Sequence, residues 1–244
     1  MDCWDRFGRK TLLAFTGYKE RAPGILKELD RVGMEDVDVL WNFPSPFDGT
    51  IQNRLSHVRL MDRIGFFSSV MGHYRAIKAA YCLGEQRCLV MEDDVRFLRD
   101  LDKLYEIVQA LPDDYDIALF DVMRPQKIPE SDFVRHIKDD RVNKYWIRFV
   151  NARSAGCYSL SRKAMKRWID AFESPAMGKG GKMRLADQYF NIAHVGSDLK
   201  VYHAAPTAAR QMIIGSGINN SGFKKEGLDS WYRAIGCDPD AYGG

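Results

Sequence analysis

Nothing in the sequence approaches the roughly 20 consecutive apolar residues that a membrane span requires. The opening residues, Met1-Asp2-Cys3-Trp4-Asp5-Arg6, lack the apolar stretch of a secretory leader. The five cysteines, Cys3, Cys82, Cys88, Cys157 and Cys237, are odd in number, scattered, and without the short paired spacing of a zinc site. Free thiols in a reducing compartment are therefore expected, and with them a cytoplasmic protein, peripheral attachment to the inner face of a membrane being left open. No basic block stands out either. The 36 Lys and Arg against 33 Asp and Glu give a net charge of +3 with the signs well mixed. That argues against a nucleic-acid partner and is compatible with an anionic small molecule or an anionic membrane surface. Lys179 and Lys182 lie among glycines, but no Gly-Lys-Ser/Thr ending follows, so this loop is not a phosphate-binding P-loop.

What is present suits one α/β domain. The chain has 244 residues, 45% of them hydrophobic, enough to bury a sizeable core without a disulfide or a structural metal. Thr11 to Thr16 reads as a short buried strand. A helix fits Pro23 to Val32, with Ile25, Leu26, Leu29 and Val32 on one face, Pro23 in its first turn and Gly33 just past its end. Val37 to Trp41 is a second strand, followed by a polar, Pro- and Gly-containing loop over 42–53. Val70, Tyr74, Ile77 and Tyr81 recur at helical spacing until Gly84. Cys88 to Met91 is a compact apolar strand, a helix spans Asp100 to Leu111, and Asp116 to Phe120 is the next strand. The segment from Pro125 to Lys144 reads as a long loop or small insertion. Ala155 to Leu160 is a strand, and Ser161 is placed to cap a helix carrying Ala164, Met165, Trp168, Ile169 and Phe172. A short helix is expected over Leu185 to Ala193 and a late strand at Val201-Tyr202. Strands alternating with helices of this length predict a largely parallel, Rossmann-like sheet.

The chemistry-bearing feature is Glu92-Asp93-Asp94, directly after the apolar strand Cys88 to Met91. Three adjacent carboxylates repel one another, and burial penalises their charged forms. A divalent cation resolves the conflict, because hard oxygen ligands at a strand end chelate Mg²⁺ or Mn²⁺. Ligands of open α/β sheets bind just beyond the carboxyl ends of the strands, where this run sits. One or two of the three can reach a metal while another holds a sugar hydroxyl or a backbone amide. A solvated acidic loop with no ligand is the plain alternative.

The order of several motifs resembles glycosyltransferase family 25, which includes lipooligosaccharide and collagen galactosyltransferases. The residues that carry it are His73 in Met71-Gly72-His73-Tyr74-Arg75-Ala76-Ile77, then Leu89-Val90-Met91-Glu92-Asp93-Asp94-Val95, and the strand-helix junction Cys157-Tyr158-Ser159-Leu160-Ser161-Arg162-Lys163-Ala164. Asp187, Pro206 and Gln211 match later positions, and the ordered set runs over roughly Leu12 to Gln211. Two positions depart from the pattern. Gly72 stands where the family has serine, and only Arg21 corresponds to the family's Arg-rich first turn.

The resemblance implies a GT-A type fold, a UDP-sugar donor (often UDP-galactose), a divalent metal (Mn²⁺ or Mg²⁺) and inversion at the anomeric carbon. It makes the chain one domain, with a nucleotide-sugar half at about 11–124, an acceptor-side half at about 145–214 and a tail at 215–244. A glycan or glycolipid acceptor of lipopolysaccharide type is expected by analogy only. On this reading Asp94, assisted by Asp93, holds the metal. Asp187 is the candidate catalytic base, with a helix N-cap as its alternative. Arg21, His73, Glu92, Asp93, Asp121 and Gln211 are the candidate substrate-binding residues. Each has a plain counterpart: a surface arginine, a hydrogen-bonded structural histidine, a turn-capping aspartate, a loop glutamine. The competing functions are a metal-dependent phosphoesterase and an inactive carbohydrate- or nucleotide-binding relative.

Overall fold

A computed structural model of the chain describes residues 3–15, 21–42, 60–121, 141–148, 155–174, 186, 189–190, 198–211, 233 and 238–242. Its centre is a seven-stranded sheet. In chain order the strands are β1 (Arg9–Phe15), β2 (Val37–Asn42), β3 (Arg87–Glu92), β5 (Ile117–Leu119), β6 (Trp146–Arg148), β7 (Cys157–Ser161) and β8 (Val201–Ala204), arranged spatially as β2-β1-β3-β7-β5-β8-β6. β1 runs parallel to both β2 and β3, and β5 parallel to β8, whereas β7 and β6 are antiparallel to their neighbours. Five of the seven strands therefore point one way, and the α/β class expected from the sequence is observed. The departure is β7. It follows the segment 122–154 rather than a simple helical crossover, and enters the sheet reversed, between β3 and β5.

Helices cover both faces. α1 (Ala22–Arg31) and α3 (Leu101–Gln109) lie on one side, α2 (Leu60–Cys82) and α4 (Arg162–Glu173) on the other. The alternation of β3 shows how the strands serve both layers. Leu89 and Met91 pack with Ile25 and Leu29 of α1 and Leu104 and Val108 of α3, while Cys88 and Val90 pack with Ile77 of α2 and Met165 of α4. The capping signals act as the sequence indicates. Asp100 Oδ1 accepts the amide of Lys103 at 3.0 Å, and Ser161 Oγ accepts that of Ala164 at 3.2 Å. Gly33 and Gly84 close α1 and α2 at φ of 64° and 85°, a region where a side chain is strained. Cys3, Cys82, Cys88 and Cys157 are free thiols.

One element has no counterpart in the sequence reading. β4 (Val95–Phe97) and β9 (Ala209–Gln211) form a two-stranded antiparallel ribbon beyond the carboxyl end of β3. Three-residue strands carry too little periodicity to register. The ribbon is held by α1. Glu28 Oε1 accepts the Phe97 amide at 2.7 Å, and Arg31, paired to Glu28 at 2.7 Å, donates to the carbonyl of Leu98 at 3.0 Å. Burial of Val95, Phe97 and Ala209 in the α1–α3 core fixes its other face. No described helix is long and apolar enough to cross a membrane.

Candidate functional site

The acidic run sits where the parallel strands end. Glu92 is the last residue of β3, and Asp93 and Asp94 form the turn that leads into β4. Because Cys157 of β7 pairs with Met91, the residue before it, Gly156, lies beside Glu92, and the Glu92 amide donates to the Gly156 carbonyl at 2.8 Å. On the far side of β7 the Cys157 amide donates to Asp121 Oδ1 at 3.2 Å. The expectation that Asp121 approaches the acidic run is met, but across β7 rather than from an adjacent strand. Asp121 is fully buried and fastens the start of β7, as a turn-capping role requires.

Gly156 is where these groups converge. A Cβ there would fall 2.5 Å from Asp121 Oδ2 and 2.5 Å from Gln211 Cγ, so the close approach exists only because the position has no side chain. Gln211, the last residue of β9, donates through Nε2 to Glu92 Oε2. The other oxygen of Glu92 faces α2, with His73 Nε2 3.0 Å from Oε1. His73 is completely buried, and its Nδ1 lies 2.9 Å from the Tyr158 hydroxyl. His73 is thus a neighbour of Glu92 and shut off from solvent, which places it behind the site rather than at its surface.

Asp93 and Asp94 face a different partner. Arg21, at the N-terminal end of α1, lies 3.4 Å from Asp93 Oδ1 and 3.7 Å from Asp94 Oδ2. Asp94 Oδ1 is buried and has no hydrogen-bond partner among the described residues. Burial, then the Glu92 charge, pushes the Asp94 carboxyl up to about 8, opposed by Arg21 and reinforced by Asp93. An orphaned buried carboxylate oxygen next to a second carboxylate is a donor set that fits a hard divalent cation. No group of three or more His, Cys, Asp or Glu side chains arranged around a common metal position occurs among the described residues. A Mg²⁺-type site that takes its remaining ligands from water and substrate phosphates needs only one or two protein carboxylates.

Six of the candidate residues, Arg21, His73, Glu92, Asp93, Asp94 and Gln211, therefore come together at the carboxyl rim, and Asp121 lies behind them. Asp187 falls outside the described residues, as do Lys179 and Lys182. Its described neighbours Ala186, Tyr189 and Phe190 are helical and buried, with the Phe190 ring 4.6 Å from that of Tyr158. The sequence reading assigned no role to Gly156 or Tyr158. Their only local signal is a glycine opening an apolar strand and a tyrosine facing the same way as Leu160. A hollow of about 710 Å³ opens at the opposite rim, between Arg6, Arg87, Asp113, Asp116 and Arg162. Its charges serve the fold: Arg6 pairs with Asp113 at 2.7 Å and donates to the Val108 carbonyl at 2.8 Å near the end of α3.

No family profile matches the chain, and no curated protein matches it in sequence. Three solved structures resemble it. The glycosyltransferase GlyE of Streptococcus pneumoniae TIGR4 is 10% identical with a TM-score of 0.44, over 95% of this chain and 61% of that one. Mouse xyloside xylosyltransferase 1 in its apo form is 11% identical with a TM-score of 0.34, over 76% and 67%. A protein titled mannose-1-phosphate geranyltransferase, from Thermus thermophilus, is 9% identical with a TM-score of 0.35, over 80% and 73%. The chain thus spans about three fifths of the Streptococcus protein's length.

Proposed function

We propose that the protein is a metal-dependent glycosyltransferase of GT-A type, moving a hexose from a UDP-sugar to a hydroxyl of a glycan or glycolipid, with inversion. The observation that carries this is the placement of Asp93 and Asp94 at the carboxyl rim, with Asp94 Oδ1 buried and unsatisfied and Arg21 alongside. Rims of this kind are where open α/β sheets bind nucleotides. The motif order from His73 to Gln211 adds the family 25 resemblance, from which galactose is the expected sugar.

The residues divide the work. Asp94 and Asp93 would hold Mn²⁺ or Mg²⁺, which when bound neutralises charge developing on the leaving diphosphate. Arg21 lies within reach of the same phosphates and adds a fixed, planar set of donors. Glu92, tied to His73 and Gln211, faces the sugar. Asp187 remains the candidate for removing the acceptor proton.

The test is calorimetry and thermal shift with UDP and Mn²⁺, separately and together, followed by a screen of UDP-sugars for release of UDP. Cooperative binding of UDP with Mn²⁺, and turnover of one UDP-hexose, is the expected result. Turnover of phosphoesters without any nucleotide sugar, or failure of UDP and Mn²⁺ to bind together, overturns the reading.

A further inference from the structure

The acidic run has two distinct supports. Asp93 and Asp94 lean on Arg21, from the sheet's α1 side. Glu92 is gripped instead by His73 of α2 and Gln211 of β9, and its side chain keeps 23% of its surface exposed. Behind it, Tyr158, His73 and Glu92 form a continuous chain of short contacts, 2.9 Å and 3.0 Å, in which the tyrosine and histidine are fully buried.

The donors in this chain follow from elementary chemistry. An ionised carboxylate has no proton to give, so the 3.0 Å contact requires His73 Nε2 to carry the hydrogen. In a neutral imidazole Nδ1 is then an acceptor, and the Tyr158 hydroxyl donates to it. Burial keeps that phenol protonated by raising its pKa well above the ordinary value. The Tyr158 ring, set edge-on to Phe190 at 4.6 Å, has little freedom to release the contact.

We propose that His73, locked in its Nε2–H tautomer by Tyr158, is a positioning residue that orients Glu92 as the acceptor for a hydroxyl of the donor sugar. A carboxylate offers about four lone-pair directions. The histidine and the Gln211 amide take one on each oxygen, and the orientation they impose directs the exposed part of Glu92 beyond the sheet rim, away from the Arg21 side. The run is thereby split between a diphosphate end at Asp93-Asp94 and a sugar end at Glu92. The hydroxyl-accepting role rests on the glycosyltransferase reading above; the tautomer and the orientation of Glu92 do not.

Two measurements test this. The first needs no turnover: two-bond proton–nitrogen correlation spectra of protein labelled with ¹⁵N-histidine, the His73 signal identified by its loss in His73→Gln. A protonated Nε2 and an unprotonated Nδ1 are expected, the Nδ1 resonance shifting in Tyr158→Phe. A proton on Nδ1 overturns the proposal whatever the activity. The second uses the UDP-hexose that the wild type turns over and its deoxy analogues. His73→Ala should lower kcat/KM at least tenfold and erase discrimination against one deoxy analogue, with UDP–Mn²⁺ affinity within twofold of wild type. His73→Gln, whose amide can donate where Nε2–H does, should recover most of the loss. Loss of UDP affinity in step with kcat/KM, or unchanged kcat/KM in both variants, marks His73 as structural and overturns the proposal. If no UDP-sugar is turned over at all, the proposed function fails and the hydroxyl-accepting role falls with it, while the spectra still decide the positioning.

Discussion

Gly156 and Gln211 approach so closely that a single methyl group on the glycine would sit 2.5 Å from Gln211 Cγ and 2.8 Å from its Cδ. Gly156→Ala must therefore displace Gln211, Asp121 or the start of β7, all of which are packed. Overfilling of this kind costs about 1–3 kcal/mol. Thermal denaturation should show the loss, and the variant should bind a UDP-sugar less well than it binds UDP. Unchanged stability would mean that Gln211 swings away freely.

Glu28 acts at a distance from any ligand. It is 6% exposed and accepts the Phe97 amide while holding Arg31 against the carbonyls of the ribbon. Glu28→Ala leaves that buried amide without its acceptor, at a cost of about 1–3 kcal/mol. Because the ribbon carries Gln211, activity should fall further than stability alone explains. Amide hydrogen exchange at Phe97, faster in the variant, is the direct readout.

Asp94→Asn replaces the carboxylate that has the unsatisfied oxygen. Removing a buried, crowded carboxylate should leave melting in metal-free buffer equal to or above wild type. The rise in melting temperature that Mn²⁺ gives the wild type in the presence of UDP should vanish. A variant that still responds fully to Mn²⁺ would place the metal elsewhere.

Acid should weaken the fold through His203, buried in β8 between Leu119 and Ile147 and lowered by that burial to about 3. The unfolded chain takes up a proton near pH 6.5, which the folded imidazole refuses until near 3. The stabilising contribution is therefore complete above about pH 6.5 and is lost as pH falls toward about 3. Between about pH 6.5 and about 4.5, His203→Leu should show a flatter dependence of melting temperature on pH than wild type. Parallel profiles would assign the acid sensitivity to carboxylates alone.

The elements legible in the sequence are those long or apolar enough to carry a period: β1 and β3, α1 with its proline and terminal glycine, and α4 behind its Ser161 cap. The acidic run is legible because it breaks off an apolar strand abruptly. The reversed direction of β7 is not, since a strand's own residues do not record which neighbour it pairs with or in which sense. The ribbon is too short to show, and so the proximity of Gln211 to Glu92 can come from the motif resemblance but not from any local pattern. Tyr158 reads as one more core aromatic until its hydroxyl is seen against His73. Burial of His73 corrects the idea of a direct ligand contact: helical spacing places it inward, and the structure keeps it there.

Glu92 and Gln211 are 119 residues apart in the chain, and the strand that brings Gln211 home has three residues. Such a short ribbon frays more readily than the seven-stranded sheet it leans on. Gentle heating or low concentrations of urea should silence the protein before its main transition, reversibly, leaving far-ultraviolet circular dichroism almost untouched. Activity is then a more sensitive thermometer of this molecule than any measure of its bulk structure.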